Sequence, residues 1–144
     1  MTGYTKPLPS PDRDTQGFWE GCRHHELRLQ RCQDCGLYCF PPLPMCPGCN
    51  STHRQWVKVS GKGKVYSWFV VHRATHPDFV ADVPYAVVVV TPDEQDDIHI
   101  AGNIVHCAAE DLRVDMPVEV VFDDVTAEVT LPKWRPVAHS GRRA

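Results

Sequence analysis

Residues Leu29–Asn50 read LQRCQDCGLYCFPPLPMCPGCN and hold five of the chain's seven cysteines. Four of them, Cys32, Cys35, Cys46 and Cys49, fall as two C-x2-C pairs with ten residues between the pairs. A C-x2-C pair at a tight turn delivers both sulfurs to one metal, and two such pairs complete a tetrahedron. Four soft ligands in a tetrahedron suit zinc, an ion without redox chemistry, with iron or an empty reduced site as the alternatives. The CGL and CPGCN contexts supply the glycines that such turns need. Four thiolates leave no open position for water or substrate, so the expected metal is structural. Its work is to close a loop that cannot bury a core by itself. Cys39 stands at the wrong offset from Cys35 for a knuckle and is expected to be a packed thiol, as are Cys22 and Cys107.

Working outward, ELRLQRC alternates like a strand into the first pair and LYCFPP leads away from it. Ahead of them a short helix is expected, capped by Thr15 or Asp14, with Phe18, Trp19 and Cys22 on its apolar face. Phe18 and Trp19 either anchor that helix on the domain or form part of a docking surface. Beyond Ser60–Gly61 the pattern changes. KVYSWFVV alternates, which sets Val65, Ser67, Phe69 and Val71 on one face and Tyr66, Trp68 and Val70 on the other. YAVVVV reads as a strand buried on both faces. DIHIAGNIV puts Ile98, Ile100 and Ile104 on one side, with Gly102 suggesting a bulge or bend. CAAEDL reads as a short helical connection, and VEVVF and AEVTL are the last two strands.

Five strands interrupted by one short helix after the third suit a small Greek-key barrel of the oligomer-binding (OB) type. The expected fold is therefore mainly β: a short N-terminal helix and rubredoxin-like zinc ribbon, then a five-stranded OB barrel. The expected divisions are a flexible arm over 1–13, helix and ribbon over 14–60, barrel over 61–138 and a tail over 139–144.

Composition excludes several functions. The formal net charge is −3, so no basic field awaits an anionic membrane, and the longest apolar run is too short to span one. The N-terminal stretch lacks the apolar segment that export requires, which makes a cytoplasmic address the expectation and favours metal over disulfides at the cysteines. Of the eight histidines, His72 and His76 fall on a strand end and a loop, and His24 and His25 read as solvated. Asp93–Asp97 (DEQDD) reads as a solvated hairpin tip. GKGK lacks the spacing of a phosphate loop. No triad, paired carboxylate or open metal site can be assembled, so no catalytic residue is expected. Zinc ribbons and OB barrels often bind nucleic acid, and aromatics on KVYSWFVVHR would suit base stacking. From Gly61 onward, however, eight Lys and Arg face thirteen Asp and Glu, the wrong sign for a phosphate-tracking groove.

Taken together, FWEGCRHHELRLQRCQDCGLYCFPPLPMCPGCN, WVKVSGKGKVYSWFVVHR, PYAVVVV and MPVEVVFDD…LPKWRPV resemble the acyl-CoA-associated zinc-ribbon/OB-fold proteins, long catalogued as a domain of unknown function. The likeness covers about 16–138 and matches all four ribbon cysteines. Asp115 departs from it, standing where such proteins usually have a turn glycine. The resemblance implies a non-catalytic accessory subunit in a hetero-oligomer with a thiolase-fold enzyme, whose substrate is a CoA thioester. The partner most similar in kind is a lipid-transfer-protein-like aldolase that cleaves a β-hydroxyacyl-CoA in steroid side-chain degradation. Thiolases, acyl transferases and hydratases are the alternatives. Lys62, Lys64, Arg73, Lys133 and Arg135 are the cations within reach of CoA phosphates, and each is expected to be an ordinary surface charge.

Overall fold

The computed structural model describes residues 4–137; the expected tail over 139–144 lies outside them. One helix, α1 (Gln16–Arg23), precedes a three-stranded antiparallel sheet ordered β2-β1-β3, made of β1 (Arg28–Cys32), β2 (Tyr38–Cys39) and β3 (Arg54–Lys58). Thr15 stands at the N-cap of α1, one of the two expected positions, but makes no side-chain cap bond; its hydroxyl instead accepts Asp12 N–H at 3.0 Å, in a turn built with Asp12. Asp12 Oδ1 accepts the backbone N–H groups of Asp14 and Thr15, both at 2.9 Å. The Thr15 N–H bond is the chief cause holding that carboxyl below the usual aspartate range. Gly17 lets the helix lie against the ribbon, because a Cβ there would sit 2.2 Å from the Trp56 indole nitrogen.

The second sheet contains β4 (Lys62–Val71), β5 (Tyr85–Pro92), β6 (Ile100–Asn103), β7 (Pro117–Asp124) and β8 (Thr130–Pro136), in the order β6-β5-β4-β7-β8. It curls until Ile104 bridges Trp134 in parallel, with Val105 N–H donating to Trp134 O at 2.7 Å. That closure between the third and fifth barrel strands gives the OB topology. A single 3-10 turn, Ala109–Asp111, fills the expected helical connection. The last strand begins at Thr130, not at Ala127, and runs beyond the expected end at Leu131, through Pro132 to Pro136. Outside the closing contacts β8 has β7 as its one lateral neighbour, and a strand paired on one side tolerates missing N–H donors.

The alternation expected along β4 fails at Tyr66. Val65 pairs Val90 while Ser67 pairs Val89, so Tyr66 is an extra residue in a β-bulge. One inserted residue reverses every side chain beyond it. Val65, Trp68 and Val70 therefore share the core side, while Tyr66 and Phe69 are exposed. β5 is likewise buried on one face only: Ala86, Val88 and Val90 enter the core and Val87 and Val89 stay half-exposed.

Helix, ribbon and barrel share one apolar cluster, in which Phe18, Leu27 and Leu29 meet Val65, Val88, Val118 and Trp134. Trp134 is 1% exposed and lies over Gly102, where a Cβ would come within 3.0 Å of the indole. Gly102 thus makes room for a ring, and its strand stays in regular register, contrary to the expected bulge. Asp115 takes φ 69, the left-handed conformation that explains a glycine at this turn, while its N–H donates to Val65 O at 2.7 Å. Aspartate tolerates this region better than alanine does. Asp115→Ala is expected to cost about 1 kcal/mol and Asp115→Gly only about a few tenths, read from urea denaturation midpoints.

Candidate metal centre

The two knuckles share one local device. In the first, Gly36 N–H donates to Cys32 O at 3.0 Å; in the second, Asn50 N–H donates to Cys46 O at 2.9 Å. Gly36 (φ 80) and Asn50 (φ 64) both take positive φ to close these turns, and glycine and asparagine are the residues that do so most readily. Each turn then aims a backbone N–H at its first sulfur, Cys35 N at 3.5 Å from Cys32 Sγ and Gly48 N at 3.3 Å from Cys46 Sγ. Outside the knuckles, Asp34 accepts from the Ser51 hydroxyl and meets His53 Nδ1 at 3.2 Å, clipping the first turn to the exit of the second.

These turns gather the four sulfurs of Cys32, Cys35, Cys46 and Cys49 within 4.8 Å of one another. Cys32–Cys49 and Cys35–Cys46 are each 3.6 Å apart. A tetrahedral zinc thiolate site has sulfur–sulfur edges of about 3.8 Å, so the donor set fits the metal. The Cys35 N–H bond is the main cause holding the Cys32 thiol down to about 6. Four sulfurs this close cannot all ionise without a cation among them.

The remaining cysteines lie apart from this cluster. Cys22 is fully buried, and burial pushes its thiol up to about 12. Cys39 is buried, donates to Pro41 O at 3.2 Å and is raised by burial. Cys107 is half-exposed and also raised by burial. None of the three has the lowered pKa of a reactive thiol.

Phe18 anchors α1: it is buried, edge-on to Trp19 at 5.1 Å and tilted against Phe40 at 5.5 Å. Trp19 stays half-buried beside a groove of about 270 Å³ that also includes Phe40, Gly102 and Pro132. His25 is exposed, as expected, and also stacks on Phe122 at 5.3 Å and reaches Asp124 at 3.0 Å, which docks the helix end on β7. His76 accepts from Asp78 N–H and starts the turn Pro77–Phe79; His72 lies elsewhere, beside Tyr85 and Cys107. Lys133 and Arg135 are engaged with Asp123 at 2.6 Å and Glu119 at 2.9 Å, while Lys62, Lys64 and Arg73 are exposed. In the arm, Lys6 pairs with Asp82 at 2.5 Å on the barrel.

The hairpin at Asp93–Asp97 exposes its three aspartates, as a solvated tip would, while Glu94 and Gln95 make it a clamp. Gln95 Oε1 accepts Tyr38 N–H at 2.9 Å, and its Nε2 donates to Tyr38 O at 2.8 Å. The amide thereby pairs with β2 as another strand would. Glu94 Oε2 accepts Ser60 N–H at 2.8 Å, at the crossing from ribbon to barrel. Nothing in an acidic run announces this, although a glutamine among carboxylates was the available signal. Gln95→Ala should destabilise the chain by about 1–2 kcal/mol and speed amide exchange at Tyr38, measured by hydrogen–deuterium exchange.

Among the described residues, no helix is long and apolar enough to cross a membrane. Residues 19–53 match the family described as "ChsH2, rubredoxin-like zinc ribbon domain", and residues 56–123 match "ChsH2, C-terminal OB-fold domain". A probable enoyl-CoA hydratase alpha subunit of Thermomonospora curvata is 34% identical over 91% of this chain and 40% of its own length. The 3-oxo-4,17-pregnadiene-20-carboxyl-CoA hydratase alpha subunit of Mycobacterium tuberculosis is 32% identical over 89% of this chain and 39% of its own. The chain therefore spans about two fifths of these hydratase subunits. A DUF35 domain-containing scaffold protein of Methanocaldococcus jannaschii is 42% identical over 64% of each chain. A solved chain described as "Ltp2-ChsH2(DUF35) aldolase" superposes with a TM-score of 0.80 at 34% identity, covering 89% of this chain and 98% of that one.

Proposed function

The chain belongs to the DUF35 family of ChsH2-type zinc-ribbon and OB-fold proteins, and from that membership we propose that it is a non-catalytic accessory subunit of an acyl-CoA enzyme complex. Its partner on this reading is a thiolase-fold aldolase. The observation that carries the proposal is the aldolase-complex chain, matched over nearly its whole length at 34% identity. Zinc, held by Cys32, Cys35, Cys46 and Cys49, supplies a structural cross-link and no reactive position.

The substrate of the complex is a β-hydroxyacyl-CoA. The partner breaks its bond between the α and β carbons, releasing a carbonyl fragment and a shortened acyl-CoA. A steroid side chain is the acyl group favoured here, supported by the pregnadiene-carboxyl-CoA relative. This chain's contribution is to hold the partner's site in shape, since preorganisation raises a rate without donating a catalytic group. Of the docking surface expected from Phe18 and Trp19, Phe18 is buried and Trp19 half-buried, so the docking surface we assign lies on the ribbon. Leu43 and Met45, exposed by 39% and 47%, project from the loop between the knuckles. That loop is pinned behind by Gln30 Oε1 on Leu43 N–H at 3.0 Å and by Arg54 on Pro44 O.

A hydratase partner is the second reading, favoured by the two hydratase alpha subunits. Reconstitution separates the two. The chain is titrated into a thiolase-fold aldolase and into a hydratase, and CoA thioester products are followed by chromatography. Aldol cleavage should rise and saturate at a fixed subunit ratio. Stimulation of hydration alone would favour the second reading, and no effect on either enzyme would overturn the accessory role.

A further inference from the structure

Gln30 lies on β1 between Trp56 of β3 and Cys39 of β2 and is 3% exposed. Its Oε1 is used on Leu43, but among the described residues its Nε2 has no hydrogen-bond partner. A buried amide donor left unpaired costs about 1–3 kcal/mol, so its surroundings call for explanation. Gln30 lines a hollow of about 10 Å³ together with Cys32, Leu37, Cys39, Cys46 and Arg54. Two of those residues contribute to the sulfur cluster.

A neutral thiol is a weak acceptor, whereas a zinc-bound thiolate is a strong one. Zinc with four thiolates carries a net charge of −2, which needs nearby N–H groups to offset it. The sulfurs of Cys32 and Cys46, the two cluster residues that line the hollow, each already receive one, from Cys35 and Gly48. Arg54 adds positive charge on the same side, fixed by Pro44 O and by Asp14 at 3.4 Å.

We propose that Gln30 is a positioning residue of the metal centre, donating from Nε2 through one water in the hollow to the Cys32–Cys46 thiolate pair. The hollow is of the size that admits a single water. The amide then has two separate duties: Oε1 fixes the loop at Leu43, and Nε2 stabilises the charged site. This inference rests on the zinc reading above, and the tests below distinguish its failure from that of the reading.

Gln30→Glu keeps an acceptor for Leu43 N–H but replaces the donor with an anion. Zinc affinity, measured by competition with a chromophoric chelator, should weaken by about 10–100-fold. In the cobalt-substituted protein the sulfur-to-metal charge-transfer band should move to lower energy, because the thiolates lose a donor. Gln30→Met removes the donor without adding charge; it should weaken zinc by about tenfold and shift the band the same way. Unchanged affinity in folded variants would overturn the proposal. So would weakened affinity with an unmoved band, the signature of a purely structural role at Leu43. In the zinc-loaded unsubstituted protein, one Gln30 side-chain amide proton should resonate well downfield of an unbonded glutamine amide, and a resonance in the ordinary range overturns the proposal even if neither variant folds. If the unsubstituted chain binds no zinc in the same titration, the metal reading itself falls.

Discussion

Cys32→Ser is expected to abolish zinc retention and to leave the ribbon strands β1–β3 exchanging their amide hydrogens like an unfolded segment. β2 is two residues long, and β1 is the strand that holds the ribbon's chief apolar anchor, Leu29. Such a sheet is too small to stand without a cross-link. Structural zinc supplies an apparent binding energy of about 10–16 kcal/mol at neutral pH, more than any other single interaction here. Serine at position 32 removes both a ligand and the acceptor for Cys35 N–H. Because Phe18 and Leu29 belong to the barrel's own cluster, the damage should spread and lower the melting temperature of the whole chain. Metal analysis and hydrogen–deuterium exchange check this together. A variant that kept one equivalent of zinc and a protected β1 would contradict it.

Trp134→Ala is expected to destabilise the chain by about 3–5 kcal/mol, with a melting-temperature drop on the order of 10 °C. Its indole is fully enclosed, and its backbone carries the bridge that closes the barrel. The hollow left behind cannot easily collapse, since Gly102 offers no side chain to fill it. A paired variant, Gly102→Ala with Trp134→Ala, puts a methyl group back into that hollow. It should recover part of the loss, and thermal unfolding of the single and double variants tests the coupling.

The cluster of four sulfurs was legible because its signal is local: two knuckles with fixed spacing state which four must meet, whatever lies around them. The barrel was legible in strand number and in the short connection after the third strand. Its details were not. A bulge at Tyr66 leaves no mark in a run of alternating residues, yet it reverses Trp68 and Val70 relative to a uniform pattern. β8 carries two prolines and looks broken, because tolerance for a missing N–H depends on how many neighbours a strand has. Gln95 and His25 were missed for another reason. Each acts on a residue more than fifty positions away, Tyr38 and Asp124 respectively, and such pairings emerge only once the chain is folded. Gln30 was missed for a related reason: it is a buried polar residue in a strand whose Oε1 holds the backbone of Leu43, in the loop between the knuckles.

The central claim is that this chain works as a subunit. Its most direct test is native mass spectrometry of the tagged chain co-expressed with a thiolase-fold aldolase and purified in the presence of zinc. The account predicts one zinc per chain and a hetero-oligomer of fixed stoichiometry that weakens when Leu43 and Met45 are replaced by aspartate. A zinc-loaded chain found only by itself, with the aldolase intact alongside it, would contradict that claim.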